Sequence, residues 1–276
     1  STHAGGSNVK KERRAMNNAP IGVFDSGLGG LTVWRELYRK LPHESLIYYG
    51  DGKNCPYGDK NREEVTAYVD LAVRRLIDRG VKLIVVACNA ATAMAIDHLR
   101  RNYALPLVGL EPAVKPAAMA SRSGVIGILA TAATLNGRLF RETSQRYADR
   151  VKILTQVGEG FVELVESNRE QTPEALARVD KLLRPMLDAG ADQIVLGCTH
   201  YPFLSAAMRR VIGERRVDLV NPAAAIERQA EALLRRFDLP AEPEHTPQDD
   251  FMTSADETYR QRLIAKSEQV RTMDID

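Results

Sequence analysis

Two of the three cysteines in this chain stand where an apolar run ends. Leu83-Ile-Val-Val-Ala87 leads into Cys88, and Gln193-Ile-Val-Leu-Gly197 leads into Cys198, with His200 two residues further on. Short runs rich in β-branched residues read as strands covered on both faces, and ligands of open parallel sheets bind at the carboxyl ends of strands. A thiol has an ordinary pKa near about 8.5 and falls to about 3.5–7.5 beside a cation, a helix N-terminus or a metal, so it can act as acid or base near neutrality. A thiolate on one face of an amino acid's α-carbon and a thiol on the other could remove a proton and return one on the opposite side. A lone strand-end cysteine is more often a core residue than a reagent. Two at matching positions, one of them beside a histidine, reverse that balance.

Other chemistries fit part of the pattern. Cys198 and His200 could be the nucleophile and base of a hydrolase, which leaves Cys88 and Asp25 unexplained. A structural zinc is disfavoured, because neither Cys-x-x-Cys nor His-x-x-x-His spacing occurs. A two-domain binding protein with core cysteines is the non-enzyme alternative. Cys55, in the loop Gly52-Lys-Asn-Cys55-Pro56-Tyr57-Gly58, follows no apolar run and reads as a bystander thiol.

The elements that position these residues recur. Ile21-Gly-Val-Phe-Asp25-Ser26-Gly27-Leu-Gly29-Gly30 is a strand running into a glycine-rich turn and then a helix. Such a turn offers backbone N–H groups to an anion, a carboxylate included, although its spacing matches neither a Walker loop nor a dinucleotide fingerprint. Asp25 at that strand end either caps the following helix or does chemistry. Val125-Ile-Gly-Ile-Leu-Ala130-Thr131-Ala-Ala-Thr134 repeats the strand and small-residue turn, and 68 residues separate Ala130 from Cys198 where 63 separate Asp25 from Cys88. The economical expectation is α/β: two similar, pseudo-symmetric domains with mostly parallel sheets, each delivering one cysteine to a shared cleft. Residues 20–117 plus 223–276 would form the first domain and residues 118–222 the second.

Helices are expected over Glu63–Arg79, closed by Gly80, and over Ala91–Arg101, Ala113–Ala120, Gly160–Ser167, Pro173–Ala189 and Ala223–Phe237. Strands are expected at Ser45–Asp51 and Leu105–Leu110. A Pro/Glu-rich linker, Leu239–Gln248, precedes a terminal segment that should return to the first domain. Residues 1–19 lack apolar periodicity and read as a mobile basic tail, either an added leader, with Met16 a candidate natural start, or a regulatory arm.

Composition bounds the function. The chain has 276 residues, 44% hydrophobic and 27% charged, which is ordinary for a globular protein. Lys10, Lys11, Arg13 and Arg14 against Glu12 supply about +3 of the formal +2, so the body is near −1 and is no nucleic-acid surface by charge. No apolar run approaches the roughly 18–20 residues that span a bilayer, and no secretion signal is legible, which makes the cytoplasm the default address. An odd, small number of cysteines argues against a disulfide framework.

The sequence resembles the glutamate racemase family, within the cofactor-independent aspartate/glutamate racemase superfamily, from about Ile21 to the C-terminus. Asp25-Ser26-Gly27-x-Gly29-Gly30, Pro56-Tyr57-Gly58, Ala87-Cys88-Asn89, Gly109-x-Glu111-Pro112, Ala130-Thr131-x-x-Thr134 and Gly197-Cys198-Thr199-His200-Tyr201-Pro202 occur in the family's order. The resemblance implies Cys88 and Cys198 as the two acid/base groups, Cys88 acting on the D and Cys198 on the L enantiomer. It implies Asp25 and His200 as their assistants, and Asp51 and Glu166 as further polar positions. Asp25, Ser26, Pro56, Tyr57, Gly58, Cys88, Asn89, Ala90, Thr131, Thr134, Cys198, Thr199 and His200 fall where the family holds substrate. It further implies glutamate as substrate, D-glutamate for peptidoglycan as the product's use, no cofactor and no metal, a homodimer, and a peptidoglycan-precursor activator. Aspartate racemisation is the nearest alternative. Two positions depart from the pattern. Ala90 replaces the usual threonine, a loss of one neutral hydrogen bond worth about 0.5–1.5 kcal/mol, and Asn61 stands where serine or threonine is usual.

Overall fold

A computed structural model describes residues 4–275. Its first half runs β1 (Ile21–Asp25), α2 (Leu31–Lys40), β2 (Leu46–Gly50), α3 (Arg62–Asp78), β3 (Leu83–Val86), α4 (Asn89–Asn102), β4 (Leu107–Gly109) and α5 (Val114–Ala120), after an N-terminal helix α1 (Ala4–Asn17). The second half runs β5 (Val125–Ala130), α6 (Ala132–Leu135), α7 (Arg138–Tyr147), β6 (Lys152–Val157), α8 (Phe161–Glu166), α9 (Pro173–Asp188), β7 (Gln193–Gly197), a 3₁₀ turn (Tyr201–Leu204), α10 (Ser205–Ile212) and β8 (Asp218–Val220). The chain closes with α11 (Ala223–Arg236), β9 (Asp250–Thr253) and α12 (Glu257–Val270).

The strands form two sheets, ordered β4-β3-β1-β2-β9 and β8-β7-β5-β6. Every pairing is parallel. Setting β3 on β7, β1 on β5, β2 on β6 and β4 on β8 superposes the two orders, and β9 is the one strand without a counterpart. Cys88 therefore follows β3 and Cys198 follows the equivalent strand β7, each next to the strand that opens its half.

Parallel strands need crossover helices, and those helices cover both faces of the sheet. Ile21, Val23, Leu83 and Val85 face α2 and the terminal helices in one buried cluster, while Phe24, Ile84 and Val86 face α3 and α4 in another. That double covering makes β1 and β3 read as unbroken apolar runs rather than as alternations. The first cluster continues through Leu129, Leu196 and Phe161, so one apolar body joins the two sheets behind the cleft. Trp34, fully buried on α2, stacks on Tyr38 and lies under the Arg271 guanidinium. After the linker, β9 adds to β2 and brings α12 against α2.

Local signals set the helix starts. Asn61 caps α3 by accepting from Glu64 N at 2.9 Å, the same work a serine or threonine does there, so this departure from the family pattern is structurally neutral. Thr172 caps α9 ahead of Pro173.

The N-terminal segment differs from the expectation of a mobile tail. Its residues Ala4–Asn17 form α1, held by ion pairs of Arg13 with Asp238 and of Arg14 with Glu242, and by the buried Lys82 ammonium, which donates to Asn17 O and Leu239 O. Among the described residues these contacts come from charged side chains, which hydrophobic periodicity does not register. Strands β6 and β8 and helices α7 and α10 also escaped the sequence reading. Strand β6 is a half-exposed edge strand containing Lys152, Thr155 and Gln156, and its polar composition hides it.

Candidate active site

Cys88 is the N-cap of α4, and its Sγ accepts from Ala91 N at 3.4 Å. A helix N-terminus favours negative charge on such a sulfur. Its other surroundings oppose it: burial pushes the Cys88 thiol well up, and the Asp25 carboxylate adds to that against the Ala91 amide and the Ser26 hydroxyl. At rest Cys88 carries its proton.

Cys198 meets a different neighbour. Its Sγ lies 3.8 Å from His200 Nδ1, and His200 Nε2 is 2.8 Å from Glu166 Oε2. Burial opposes a charged imidazole, yet hydrogen bonds with Cys198, Cys55 and Glu166 and the Glu166 charge outweigh it, so His200 stays protonated well above its ordinary value of 6.5. For Glu166, burial raises the carboxyl, but His200, Tyr259 and the Leu28 amide overcome it and hold the group below 4.5. The result places positive charge against the Cys198 sulfur.

The glycine turn after β1 does bind a carboxylate, and that carboxylate belongs to the protein. Leu28 N donates to Glu166 Oε2 at 2.8 Å, Gly27 N donates to Asp25 Oδ2 at 2.9 Å, and Tyr259 Oη donates to Glu166 Oε1 at 2.6 Å. A Cβ on Gly29 would stand 2.3 Å from His200 Nδ1, and one on Gly27 would stand 2.8 Å from both Glu166 oxygens. These positions need glycine because a turn of the first half lies directly on His200 and Glu166 of the second.

Asp25 is fully buried and accepts from Thr199 Oγ1 at 2.8 Å, across the two halves. It does not cap α2, whose N-cap is Gly30 without a side-chain bond. Burial raises its carboxyl above the usual range, against the opposing pull of His200 and its hydrogen bonds.

One small cavity collects most of the singled-out residues. Ser26, Pro56, Tyr57, Gly58, Cys88, Asn89, Ala90, Thr131, Cys198 and His200 line it, together with Val162, which sequence reasoning did not single out. Both cysteines thus face one space. Its volume of about 10 Å³ open to a water centre admits at most about one water, too little for an amino acid. Asn89 Oδ1 is buried without a partner, an acceptor free for a ligand's N–H. Thr131 caps α6, and a Cβ on Gly58 would lie 2.7 Å from Thr131 Cβ, so the Pro56-Tyr57-Gly58 loop closes directly onto the second half.

Asp25, Asp51, Thr134, Glu166 and Thr199 stand behind this lining. Asp51 accepts from Tyr57 Oη, Ser254 Oγ and Asn54 Nδ2, and so fixes the loop that carries Pro56 and Gly58. Thr134 joins Thr131 through their hydroxyls at 3.2 Å. Tyr259, on α12, is a site neighbour that no sequence signal marked, since it reaches Glu166 from 93 residues away. Cys55 is no bystander: its sulfur lies within 4.8 Å of a His200 nitrogen and a Glu166 oxygen. The 52–58 loop folds back from β2 onto the partner half, a placement that local sequence does not encode. A roomier groove of about 600 Å³, between α3, α4 and α7, contains none of these residues.

The His200–Glu166 pair has a pH signature. The raised His200 pKa contributes stability that is fully present below about 6.5 and is lost as pH rises through the folded value; the depressed Glu166 pKa contributes above about 4.5 and is lost as pH falls through its folded value. The melting temperature of wild type should exceed that of Glu166→Gln most between those values, and the gap should narrow toward alkaline pH. Imidazole NMR should show His200 titrating above 6.5 in wild type and lower in Glu166→Gln. Unchanged titration in the variant would mean that the pair does not hold the imidazolium.

Fold and site together define a protein of two like parallel α/β halves whose strand-end thiols, one beside an imidazolium, face a shared cleft. The sequence pattern of the Asp/Glu/Hydantoin racemase family matches residues 32–230. A glutamate racemase of Herpetosiphon aurantiacus is 44% identical over 244 residues, 88% of this chain and 96% of that protein. The crystal structure of Escherichia coli glutamate racemase with L-glutamate and the activator UDP-MurNAc-ala is 31% identical, with a TM-score of 0.80 over 91% of this chain and 95% of that one. The Francisella tularensis glutamate racemase with D-glutamate is 26% identical, with a TM-score of 0.78 over 94% and 95%. This chain belongs to the Asp/Glu/Hydantoin racemase family, among the glutamate racemases.

No helix of the described residues is long and apolar enough to cross a membrane.

Proposed function

We propose that this protein interconverts L- and D-glutamate by two-cysteine proton transfer without a cofactor, and so supplies D-glutamate for peptidoglycan in the cytoplasm of a bacterium. The observation that carries the mechanism is that Cys88 and Cys198 end equivalent strands of two like sheets and line one small cavity. In the L-to-D direction a Cys198 thiolate takes the α-proton, and the Cys88 thiol gives its own proton to the opposite face of the carbanion. In the reverse direction the roles exchange. The resting protonation supports this order, since His200 sets positive charge beside Cys198 while burial keeps Cys88 protonated.

Asp25 and His200 assist Cys88 and Cys198, and Glu166 acts through His200. Asp51 acts through Tyr57 as a positioning residue. The substrate's polar groups meet Ser26, the Asn89 carboxamide oxygen, Thr131 and the loop at Tyr57 and Gly58, with Thr134 and Thr199 behind them; Ala90 contributes only its backbone and methyl group. The two domains are residues 20–117 with 223–276, and 118–222, and substrate enters when they part. The E. coli relative was solved with a peptidoglycan-precursor activator, and we extend such activation, together with homodimer assembly, to this chain.

The deciding experiment incubates the protein with L-glutamate or L-aspartate in heavy water, with and without chelator. Optical rotation should decay to zero with glutamate, with deuterium appearing at the α-carbon by NMR and no loss on chelation. Racemisation of aspartate alone would replace the substrate assignment. Activity lost to EDTA and restored by zinc would refute the thiol mechanism.

A further inference from the structure

The structure assigns a transition-metal site to Cys55, Glu166 and His200, at which a zinc-class divalent cation reversibly blocks the cleft. One ligand atom from each residue lies within 4.8 Å of the other two. Tetrahedral zinc bound at about 2.0–2.3 Å by sulfur, nitrogen and carboxylate oxygen spaces its ligands about 3.3–3.6 Å apart, so side-chain adjustments of a few tenths of an ångström to about one ångström close the site. A thiolate, a carboxylate and a neutral imidazole around a divalent cation sum to zero charge, which suits a buried location; the Cys55 thiol proton and the proton of the His200 imidazolium both leave to water on binding. A sulfur ligand selects zinc or cobalt over magnesium and calcium, which prefer oxygen.

The surroundings are those of a supported site. Tyr259 holds Glu166 Oε1 and the Leu28 amide holds Oε2, which fixes the carboxylate as outer partners fix metal ligands. The Gly27–Gly29 turn packs on the same two side chains without room for a Cβ. Cys55 is half-buried and gives an approach from solvent, whereas His200 is only 1% exposed.

The metal would act from behind the substrate cavity. His200 lines that cavity, while Cys55 and Glu166 do not. A cation bound to the three draws His200 away from Cys198 and occupies none of the space between the cysteines. This regulatory consequence rests on the racemase reading above, but the binding does not. Inhibition should lower kcat and leave KM nearly unchanged.

The test uses the full chain, stripped with chelator and dialysed. Wild type should bind one Zn²⁺ or Co²⁺ by calorimetry, and the cobalt form should show a sulfur-to-cobalt charge-transfer band. Cys55→Ala should abolish the band and weaken binding by about 100-fold or more, while Cys88→Ser and Cys198→Ser should retain both. Zinc should depress racemisation in wild type and spare Cys55→Ala, and Mg²⁺ should do neither. Should Cys55→Ala bind as tightly as wild type, or should the band vanish in Cys198→Ser instead, the assignment is overturned. Should the binding pattern hold in a protein that does not racemise glutamate, the metal site stands and the functional reading fails.

Discussion

Cys88→Ser and Cys198→Ser should each lower glutamate racemisation by about 10²–10⁴-fold, the range a positioned acid or base contributes. A serine hydroxyl is a far weaker acid than a thiol and cannot readily serve as the base near neutrality. Both thiols line the cavity, and each variant removes only the small difference in size between sulfur and oxygen, at positions 5% and 8% exposed. Circular dichroism and melting temperature should therefore stay close to wild type while the rate collapses. Cys55→Ser in metal-free buffer should stay within about two-fold of wild type, because Cys55 does not line the cavity and a serine hydroxyl keeps a hydrogen-bonding group beside His200. Equal losses at all three positions, with falling melting temperature, would make the cysteines structural and remove the mechanism.

The second large effect is directional. His200→Asn should slow α-proton abstraction from L-glutamate more than from D-glutamate, and Asp25→Asn should show the reverse bias. His200 is in contact with Cys198 at 3.8 Å, and Asp25 acts on Cys88 through its charge. Losing the imidazolium removes positive charge from the sulfur that must be a thiolate at the start of the L-to-D step. The rate loss should be about 10²-fold or more for His200→Asn. The overall equilibrium between enantiomers cannot move from unity, so the asymmetry must be read in α-deuteron wash-out or primary isotope effects from each enantiomer, not in the ratio of kcat/KM values. Identical isotope patterns from both directions in both variants would dissolve the pairing of one assistant with each thiol, while leaving the two-base chemistry in place.

Both predictions start from residues visible in the bare sequence. Strands covered on two faces must be apolar throughout, so the runs ending at Cys88 and Cys198 were legible, as was the repeated strand-turn pattern that became the matching sheet orders. Half-buried helices such as α9 announced themselves through apolar residues at helical spacing. The half-exposed strand β6 carried no such pattern, and the helix α1 is docked by arginines and a buried lysine, contacts that periodicity does not register.

Sequence by itself determined which residue types end which strands, because burial on both faces imposes composition and turns impose glycine. Tertiary structure alone decided who touches whom across the halves. The turn at Gly27 and Gly29 reads as an anion cradle in isolation, yet folding fills it with Glu166, 138 residues away from Leu28. Cys55 reads as inert until the loop sets it beside Glu166 and His200, and Tyr259 joins them from the last helix. Such contacts depend on how two domains and a returning terminal segment pack. No local pattern carries that information, since the residues involved share neither a strand, a helix nor a turn.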